Sequence, residues 1–359
     1  MAVATLPSGD LQSRLLAQGL TCQLLTPPNS RQKIARVILH QAGPGTGYTE
    51  ETAHLYKDIL AEGGTAVLLY SPLSGRFGTE GVVEEMSLIV QGVQAVYGNI
   101  DLGVVATSGG QKVVLKAAAM DVFGDQLKEC VFINGILTSD WAKFNSTEEA
   151  KLNTQHGIVR KPKGIQTTPP IIACPARREM GAMGFAKMAF YNFLGRSVEY
   201  FSGGYAFLNR LFYLSHGAPG LNENKNLRFL ERHTDQEVYN ILRRQYPINA
   251  GVFSLVTSLY QEDLSEALRD SAAKGVHFFV VRGEMDGTVN DHQHQRVVEI
   301  INETKGNLQL LSIPGCSHLV EIEKPDLLRE ELGHFFRRVL VTSTPGPQGN
   351  DLNQEPLVE

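Results

Sequence analysis

The sequence predicts an α/β protein with a mostly parallel central sheet flanked by helices. Short β-rich apolar runs alternate with amphipathic stretches from Leu20 to Met120. Repeats of strand, helix and strand form right-handed crossovers, which place successive strands parallel in one sheet. The 359 residues are 42% hydrophobic and 20% charged, which is typical of a globular chain with a large core and excludes a disordered one.

Three strands are expected in the first third of the chain. The runs "ARVILH", "TAVLLY" and "DLGVVAT" are rich in β-branched and apolar residues and are bounded by glycine or polar turns; they cover Ala35 to His40, Thr65 to Tyr70 and Asp101 to Thr107. Between the first two, apolar residues at helical spacing predict one capped helix from Thr49 that ends at Gly63.

Three more strands are expected later, and together the six should lie in one layer. They are "KECVFINGI" from Lys128 to Ile136, "VHFFVVRG" from Val276 to Gly283 and "NLQLLSIPG" from Asn307 to Gly315. The α/β core is therefore expected in two parts, residues 1–137 and residues 271–341.

Residues 138–270 interrupt this pattern and predict an inserted helical cap over the sheet. The segment contains helical-looking pieces rich in aromatic residues and methionine, joined by breaks that contain proline and glycine. Tyr191, Tyr205 and Phe212 are candidates for a mainly apolar substrate pocket, and the alternative is that such aromatic residues are ordinary core. The polar tail at 342–359 is expected to be disordered.

Charge and cysteine content restrict the partners and the compartment. A net charge of -5 argues against nucleic acid as a partner. The chain contains no uninterrupted run of about 18 apolar residues, so no membrane span is predicted. The four cysteines are far apart and have no metal-binding or redox spacing, which favours reduced thiols in the cytoplasm. The expected partner is a small-molecule substrate, and the sequence does not define the oligomeric state.

A sharp corner between strand and helix is the first candidate functional feature. In "VVATSGGQKVVLKAAAM", the strand stops at Ser108 and a helix begins within three residues. A serine in so tight a turn needs small neighbours two positions away, and Ala106 and Gly110 meet that need. Such an elbow exposes the serine oxygen above the sheet, where the N–H of the next residue, Gly109, helps to bind an oxyanion. The alternative is an ordinary helix N-cap followed by flexible glycines.

A serine nucleophile requires a base and an orienting carboxylate, and both follow later strands. Asp286 lies in the turn after "VHFFVVRG", and His318 lies just beyond "NLQLLSIPG". Because the carboxyl ends of parallel strands share one edge of the sheet, Ser108, Asp286 and His318 are expected to converge there. Asp286 could instead only cap a helix that begins near Val289, and a single histidine after a turn is often structural.

Neighbouring residues offer alternative acids and bases. Glu284, Asp291, His292 and His294 are close to Asp286 in sequence. Asp286 is preferred because it lies in the turn itself, whereas the others are expected in the helix that follows.

These motifs together resemble the α/β-hydrolase superfamily over most of the chain. "HQAGPGTGY" is similar to the family's oxyanion loop, "YSPLSGRFG" to its Asp-x-x-Gly-x-Gly turn, and "SHLVEIEKP" carries the histidine with Glu323 and Pro325 at familiar offsets. The sequence departs from the family pattern at Gln41, Ser71 and Ala106, where the family has glycine, often aspartate, and glycine.

The resemblance implies the α/β-hydrolase fold with an inserted helical cap and an oxyanion hole formed by backbone amides. Gly109 would supply one N–H, and either Gln41 or Ala42 would supply the second. No metal and no organic cofactor would be needed.

The expected activity is acyl chemistry through an acyl-enzyme at Ser108, with His318 as base and Asp286 orienting it. Ester, thioester, lactone and amide substrates all fit. Within enzymes the alternatives are an aminopeptidase or amidase of proline iminopeptidase type, which "HQAGPG" resembles, an acyltransferase, and a carbon-carbon hydrolase. Outside enzymes the alternative is a ligand receptor built on the hydrolase fold.

Overall fold

One sheet organises the part of the chain that a computed structural model describes, namely residues 8–28, 33–41, 50–71, 78–138, 262–284, 286, 289, 291–316, 318 and 320–343. Within these residues the sheet has seven strands. The strands are β1 Thr21–Leu25, β2 Arg36–Gln41, β3 Thr65–Ser71, β4 Asp101–Thr107, β5 Leu127–Ile133, β6 His277–Gly283 and β7 Asn307–Ile313.

The strand order is β1-β3-β2-β4-β5-β6-β7, and neighbouring strands from β3 to β7 pair in parallel. The prediction of a mostly parallel sheet is thereby confirmed, and all six predicted strands are present. β1 was not predicted, and it pairs antiparallel with β3 at the edge of the sheet. Its sequence, "TCQLL", is too short and too mixed to show a strand period, as is common for an edge strand.

Helices connect the strands and cover the sheet. They are α1 Ser8–Ala17, α2 Glu50–His54, α3 Lys57–Glu62, α4 Gly78–Tyr97, α5 Gly110–Ala119, α6 Ser265–Ala273, α7 Asp291–Glu303, α8 Val320–Glu323 and α9 Pro325–Ser343. None of the helices in the described ranges is both long enough and apolar enough to cross a membrane.

The single helix predicted from Thr49 to Gly63 is instead two short helices. α2 ends at His54 and α3 begins at Lys57, and Tyr56 lies between them with φ −102° and ψ 2°. Leu55 and Tyr56 are fully buried at this break. Burial of both side chains, one of them polar, replaces a regular helical turn, which local periodicity does not reveal.

Side chains of both sheet faces are buried, because helices cover each face. Val37 and Leu39 of β2 belong to a core shared with helices α1, α4, α5, α6 and α7. Ile38, between them, belongs to the core on the other face, which includes Ile59 of α3 and Leu332 of α9. Burial on two faces explains why the inner parallel strands β4 and β5 are largely apolar runs without alternation.

Residues at both ends of the predicted cap are described, but most of the cap lies outside the described residues. Residues 139–261, and with them nearly all of the predicted cap at 138–270, lie outside the described residues, as do residues 344–359 of the predicted tail. α6 begins inside the range predicted for the cap and packs into the core through Leu268. The described chain on either side is joined where the Leu264 N–H donates to the carbonyl of Leu137 at 3.2 Å.

Candidate active site

Three of the predicted functional residues follow strands at one edge of the sheet. β4 ends at Thr107, one residue before Ser108; β6 ends at Gly283, three residues before Asp286; β7 ends at Ile313, five residues before His318. Strands β4 to β7 are consecutive and parallel, so their carboxyl ends lie on the same side of the sheet. This edge is where ligands bind in open α/β sheets.

Ser108 lies in a strained turn between β4 and α5. Its φ is 53°, in the left-handed region, where a residue other than glycine costs about 1–2 kcal/mol. The Ser108 N–H donates to the carbonyl of Ile133 at 2.9 Å, and the Ser108 carbonyl accepts from the Gln111 N–H at 3.2 Å. These bonds tie the turn to the end of β5 and to the first turn of α5, and they hold the strained conformation in place.

The helix N-cap interpretation of Ser108 does not fit this turn. The N-cap position of α5 is Gly109, with φ −61° and ψ −16°, and no side chain caps the helix there. The Ser108 side chain is partly exposed. A serine that caps a helix has extended backbone angles and bonds an N–H two or three residues on, which a residue at φ 53° before the N-cap does not do.

Asp286 and His318 form a buried pair. The His318 Nδ1 atom lies 2.8 Å from Asp286 Oδ2, and the two side chains are only 7% and 3% exposed. The other carboxylate oxygen, Oδ1, accepts from the Val289 N–H at 3.0 Å. Asp286 therefore both caps the turn before α7 and binds the imidazole. Donation by Nδ1–H to the carboxylate sets the neutral ring in the tautomer whose acceptor is Nε2.

The alternative acid and base residues occupy other positions. Glu284 was expected in the following helix, but it lies in the turn directly after β6, where its exposed carboxylate accepts from the Ser312 hydroxyl at 3.1 Å. Asp291, His292 and His294 lie in α7, in the helix where the sequence placed them.

The predicted second oxyanion donor and the predicted pocket are only partly within the described chain. Gln41 is the last residue of β2 and is buried, with 1% of its surface exposed. Ala42, Tyr191, Tyr205 and Phe212 lie outside the described residues. Within the described ranges, no group of three or more His, Cys, Asp or Glu side chains is arranged to hold a metal ion.

Sequence reasoning missed Asn134, which follows β5 at the same edge of the sheet. Its Oδ1 accepts from the Gly283 N–H at 2.9 Å, and its Nδ2 donates to the carbonyl of His318 at 2.9 Å. The side chain is buried. The available signal was an asparagine followed by glycine directly after an apolar strand, which is usually only a turn.

A second polar cluster, also missed, joins the ends of β2 and β4 to α8. The His40 Nδ1 atom lies 2.6 Å from the Tyr56 hydroxyl, and its Nε2 lies 3.7 Å from Glu321 Oε1, which also accepts from the Thr107 hydroxyl at 2.6 Å. Burial lowers the pKa of His40, although the Glu321 carboxylate opposes the shift. Burial raises the pKa of Tyr56 well above its ordinary value, and Glu321 adds to that shift. Near neutral pH, His40 and Tyr56 are therefore uncharged.

The fold and the position of these residues define an α/β-hydrolase fold with an elbow serine and an Asp-His pair at its carboxyl edge. Solved structures share this fold. An esterase from Thermogutta terrifontis superposes with a TM-score of 0.55 and 13% identity, covering 89% of this chain and 93% of the esterase. A proline iminopeptidase from Mycobacterium smegmatis superposes with a TM-score of 0.55 and 17% identity, covering 90% of this chain and 96% of the iminopeptidase. A hydrolase from Oleispira antarctica superposes with a TM-score of 0.52 and 13% identity, covering 94% of this chain and 99% of that hydrolase.

The resemblance to the α/β-hydrolase superfamily is thus confirmed at the level of the fold. No protein-family model matches the chain, and no curated protein matches it either. At identities of 13% to 17%, the structural likeness establishes the fold and leaves the substrate to be inferred from the site.

Proposed function

We propose that the protein is a serine hydrolase that cleaves an acyl compound through an acyl-enzyme at Ser108. The observation that carries this proposal is the buried contact of 2.8 Å between His318 Nδ1 and Asp286 Oδ2, at the sheet edge where Ser108 is held at φ 53°. A serine hydroxyl, a histidine with an oriented ring and a buried carboxylate are the three groups that the Ser-His-Asp mechanism of acyl transfer uses.

In the proposed reaction, the Ser108 oxygen attacks the substrate carbonyl carbon while His318 Nε2 takes the hydroxyl proton. The carbonyl electron pair moves onto oxygen, and the Asp286 carboxylate stabilises the imidazolium that forms. Collapse of the tetrahedral intermediate breaks the bond to the leaving group, which receives the proton from His318. Water then attacks the acyl-enzyme with His318 again as base, and the acid product leaves as Ser108 is restored.

The developing oxyanion would be stabilised by backbone N–H groups. Gly109 follows Ser108 at the N-cap of α5, so its N–H and the positive end of that 10-residue helix lie beside the serine. A second N–H would come from Gln41 at the end of β2 or from Ala42. β2 pairs directly with β4, with Gln41 opposite Ala106, which supports this assignment.

The proposed substrate is a small, mainly apolar ester, thioester, lactone or amide, held against Tyr191, Tyr205 and Phe212. Hydrolysis of an N-terminal proline, as in the proline iminopeptidases whose fold the chain shares, is a narrower form of the same proposal. Acyl transfer to another acceptor and carbon-carbon cleavage use the same nucleophile. The reaction proceeds without a metal or an organic cofactor.

The deciding experiment is labelling with a fluorophosphonate probe, which reacts with an activated serine. Wild-type protein is expected to be labelled, and Ser108→Ala is expected not to be. Ser312→Ala is the matched control, because Ser312 is an exposed serine at the same edge of the sheet and its loss should leave labelling intact. Labelling that persists in Ser108→Ala, or is absent from the wild type, contradicts the proposal.

A substrate panel then separates the classes. Turnover of p-nitrophenyl esters indicates an esterase, and release of a fluorogenic amine from a proline amide indicates the peptidase. A ligand that raises the thermal midpoint without yielding product, in a wild type that the probe does not label, indicates the receptor alternative.

A further inference from the structure

Two consecutive residues at the end of β5 contact all three loops of the candidate site. The carbonyl of Ile133 accepts from the Ser108 N–H at 2.9 Å. The next residue, Asn134, accepts from the Gly283 N–H through Oδ1 and donates to the carbonyl of His318 through Nδ2, both at 2.9 Å. β5 lies between the nucleophile strand and the acid strand, so this position is central to the site.

We propose that Asn134 is a positioning residue that fixes the acid loop and the base loop relative to each other. This inference rests on the proposed serine hydrolase function. The bond to His318 is made to the backbone of the base itself, and Gly283 precedes the acid by three residues. Asn134 thus sets the distance between two loops that must hold the imidazole against Asp286 and aim it at the nucleophile.

The chemistry of the position suits asparagine in particular. The backbone φ is 47°, a left-handed angle that asparagine tolerates better than most residues other than glycine. The planar amide offers an acceptor and a donor at its two ends, and the structure uses the first for an N–H and the second for a carbonyl. Only 2% of the residue is exposed, so water cannot easily replace either bond.

The backbone of Asn134 continues the same connection. Its N–H donates to the carbonyl of Val281 at 2.9 Å, which extends the pairing of β5 and β6 by one residue beyond the last strand position. The side chain is therefore anchored to the acid strand by its own backbone, and its reach to His318 is what spans the gap to the loop after β7.

Asn134→Gly removes both side-chain bonds and keeps a backbone that accepts φ 47°. We expect kcat to fall about 10- to 100-fold, because a misplacement of the base by an ångström costs about that much, while KM changes by less than about threefold. Asn134→Asp keeps the shape and the acceptor for Gly283 but loses the Nδ2–H donor, so kcat should fall here as well. If Asn134→Gly does not fold, Asn134→Asp still tests the proposal, because it keeps the shape of the side chain.

Gln126→Ala is the matched control. Gln126 is also a buried amide, and its Nε2 donates to the carbonyl of Ile100 at 2.8 Å, before the start of β4 and away from the carboxyl edge. This variant should lose stability and keep kcat. Wild-type kcat in Asn134→Gly or Asn134→Asp, or an equal loss in Gln126→Ala, overturns the proposal.

A spectroscopic measurement separates this proposal from the function on which it rests. The proton between His318 Nδ1 and Asp286 is expected to give a far-downfield proton NMR signal in the wild type, absent from Asp286→Asn, whether or not any substrate is turned over. Asn134→Gly should shift or broaden that signal, and Gln126→Ala should not. An unchanged signal in Asn134→Gly defeats the positioning role, whereas a wild type that the fluorophosphonate does not label defeats the proposed function alone.

Discussion

Ser108 adopts a backbone angle that is unfavourable for its residue type, which implies a measurable cost in stability. At φ 53° the Cβ atom lies too close to the backbone, which costs about 1–2 kcal/mol, and glycine has no such cost because it lacks Cβ. Ser108→Gly and Ser108→Ala both remove the hydroxyl, but only alanine retains the strain. We expect the glycine variant to be more stable than the alanine variant by about 1 kcal/mol in urea unfolding. Equal stability would mean that the turn is not strained.

Asp286 makes two bonds, and one substitution separates them. Asp286→Asn retains an oxygen for the Val289 N–H, so the turn before α7 should persist and the thermal midpoint should change little. If the proposed reaction holds, the amide cannot stabilise the imidazolium and favours the wrong ring tautomer, so we expect kcat to fall about 10⁴-fold, as in serine proteases. Glu284→Gln neutralises an exposed carboxylate in the same loop and should keep full turnover. A similar loss in both variants would point to loop charge and not to the pair.

Residues of the site differ in how far the sequence revealed them. The common location of Ser108, Asp286 and His318 could be predicted, because each lies within five residues of the end of a strand and the topology of parallel strands brings such positions to one edge. Asn134 and Glu321 could not be predicted. Their roles depend on contacts with backbone and side chains far away in sequence, such as the carbonyl of His318 for Asn134 and the hydroxyl of Thr107 for Glu321.

At the scale of elements, a buried lysine on α5 connects this helix to the described chain on both sides of residues 139–261. The Lys112 ammonium donates to the carbonyl of Thr138 at 2.9 Å and to that of Glu262 at 2.5 Å. Gln293 of α7 binds the backbone on the N-terminal side of residues 139–261: its Oε1 accepts from the N–H groups of Leu137 and Thr138, both at 2.9 Å. Lys112 thus connects Thr138 to Glu262, and Gln293 holds residues 137 and 138.

Replacing this lysine should destabilise the fold, because two backbone carbonyls lose the donor that binds them. Lys112→Met keeps the aliphatic length but leaves the Thr138 and Glu262 carbonyls without this donor, one of them in a fully buried contact. We expect a loss of about 3 kcal/mol in the free energy of unfolding, measured with urea. Lys128→Met, at an exposed position of β5, should cost little. Wild-type stability in Lys112→Met would show that the ammonium does not hold these segments.

Elements were predictable where burial on two faces produced uninterrupted apolar runs. The inner parallel strands are of that kind. "KECVFINGI" was extended too far, because Asn134 leaves the strand with a left-handed angle and the pair Asn134-Gly135 is a turn signal that the prediction included in the strand. The break between α2 and α3 follows from the contact of Tyr56 with His40, a strand residue 16 positions earlier, which no local pattern encodes.

At the scale of the whole molecule, a buried ion pair lies at the edge of the sheet opposite the candidate site. Arg36, at the start of β2, contacts Glu129 of β5 at 2.9 Å and the carbonyl of Phe336 in α9 at 2.8 Å. Both charged side chains are almost fully buried, at 3% and 2% exposure. The pair therefore joins two strands that are not neighbours to the last helix, and it does so across Gly103 of β4, where an added Cβ would lie 2.8 Å from Glu129 Oε2.

This pair should make stability depend on pH in a defined direction. Burial raises the pKa of Glu129 from 4.5 to about 7, because desolvation outweighs the attraction of the Arg36 guanidinium. The folded state then binds a proton more tightly than the unfolded chain, so this contribution is complete below pH 4.5 and is lost as the pH rises through about 7.

Glu129→Gln imitates the protonated form and should lack this dependence. Between about pH 5 and about pH 8, the free energy of unfolding of the wild type should fall relative to that of the variant by at most about 3 kcal/mol, since each unit of pKa shift is worth about 1.4 kcal/mol. Glu266→Gln, which removes a carboxylate whose side chain is 83% exposed, should follow the wild type. Urea unfolding at both pH values measures all three proteins. A constant difference between wild type and Glu129→Gln would mean that Arg36 keeps Glu129 ionised throughout, and that the pair acts as a fixed salt bridge and not as a proton-binding group.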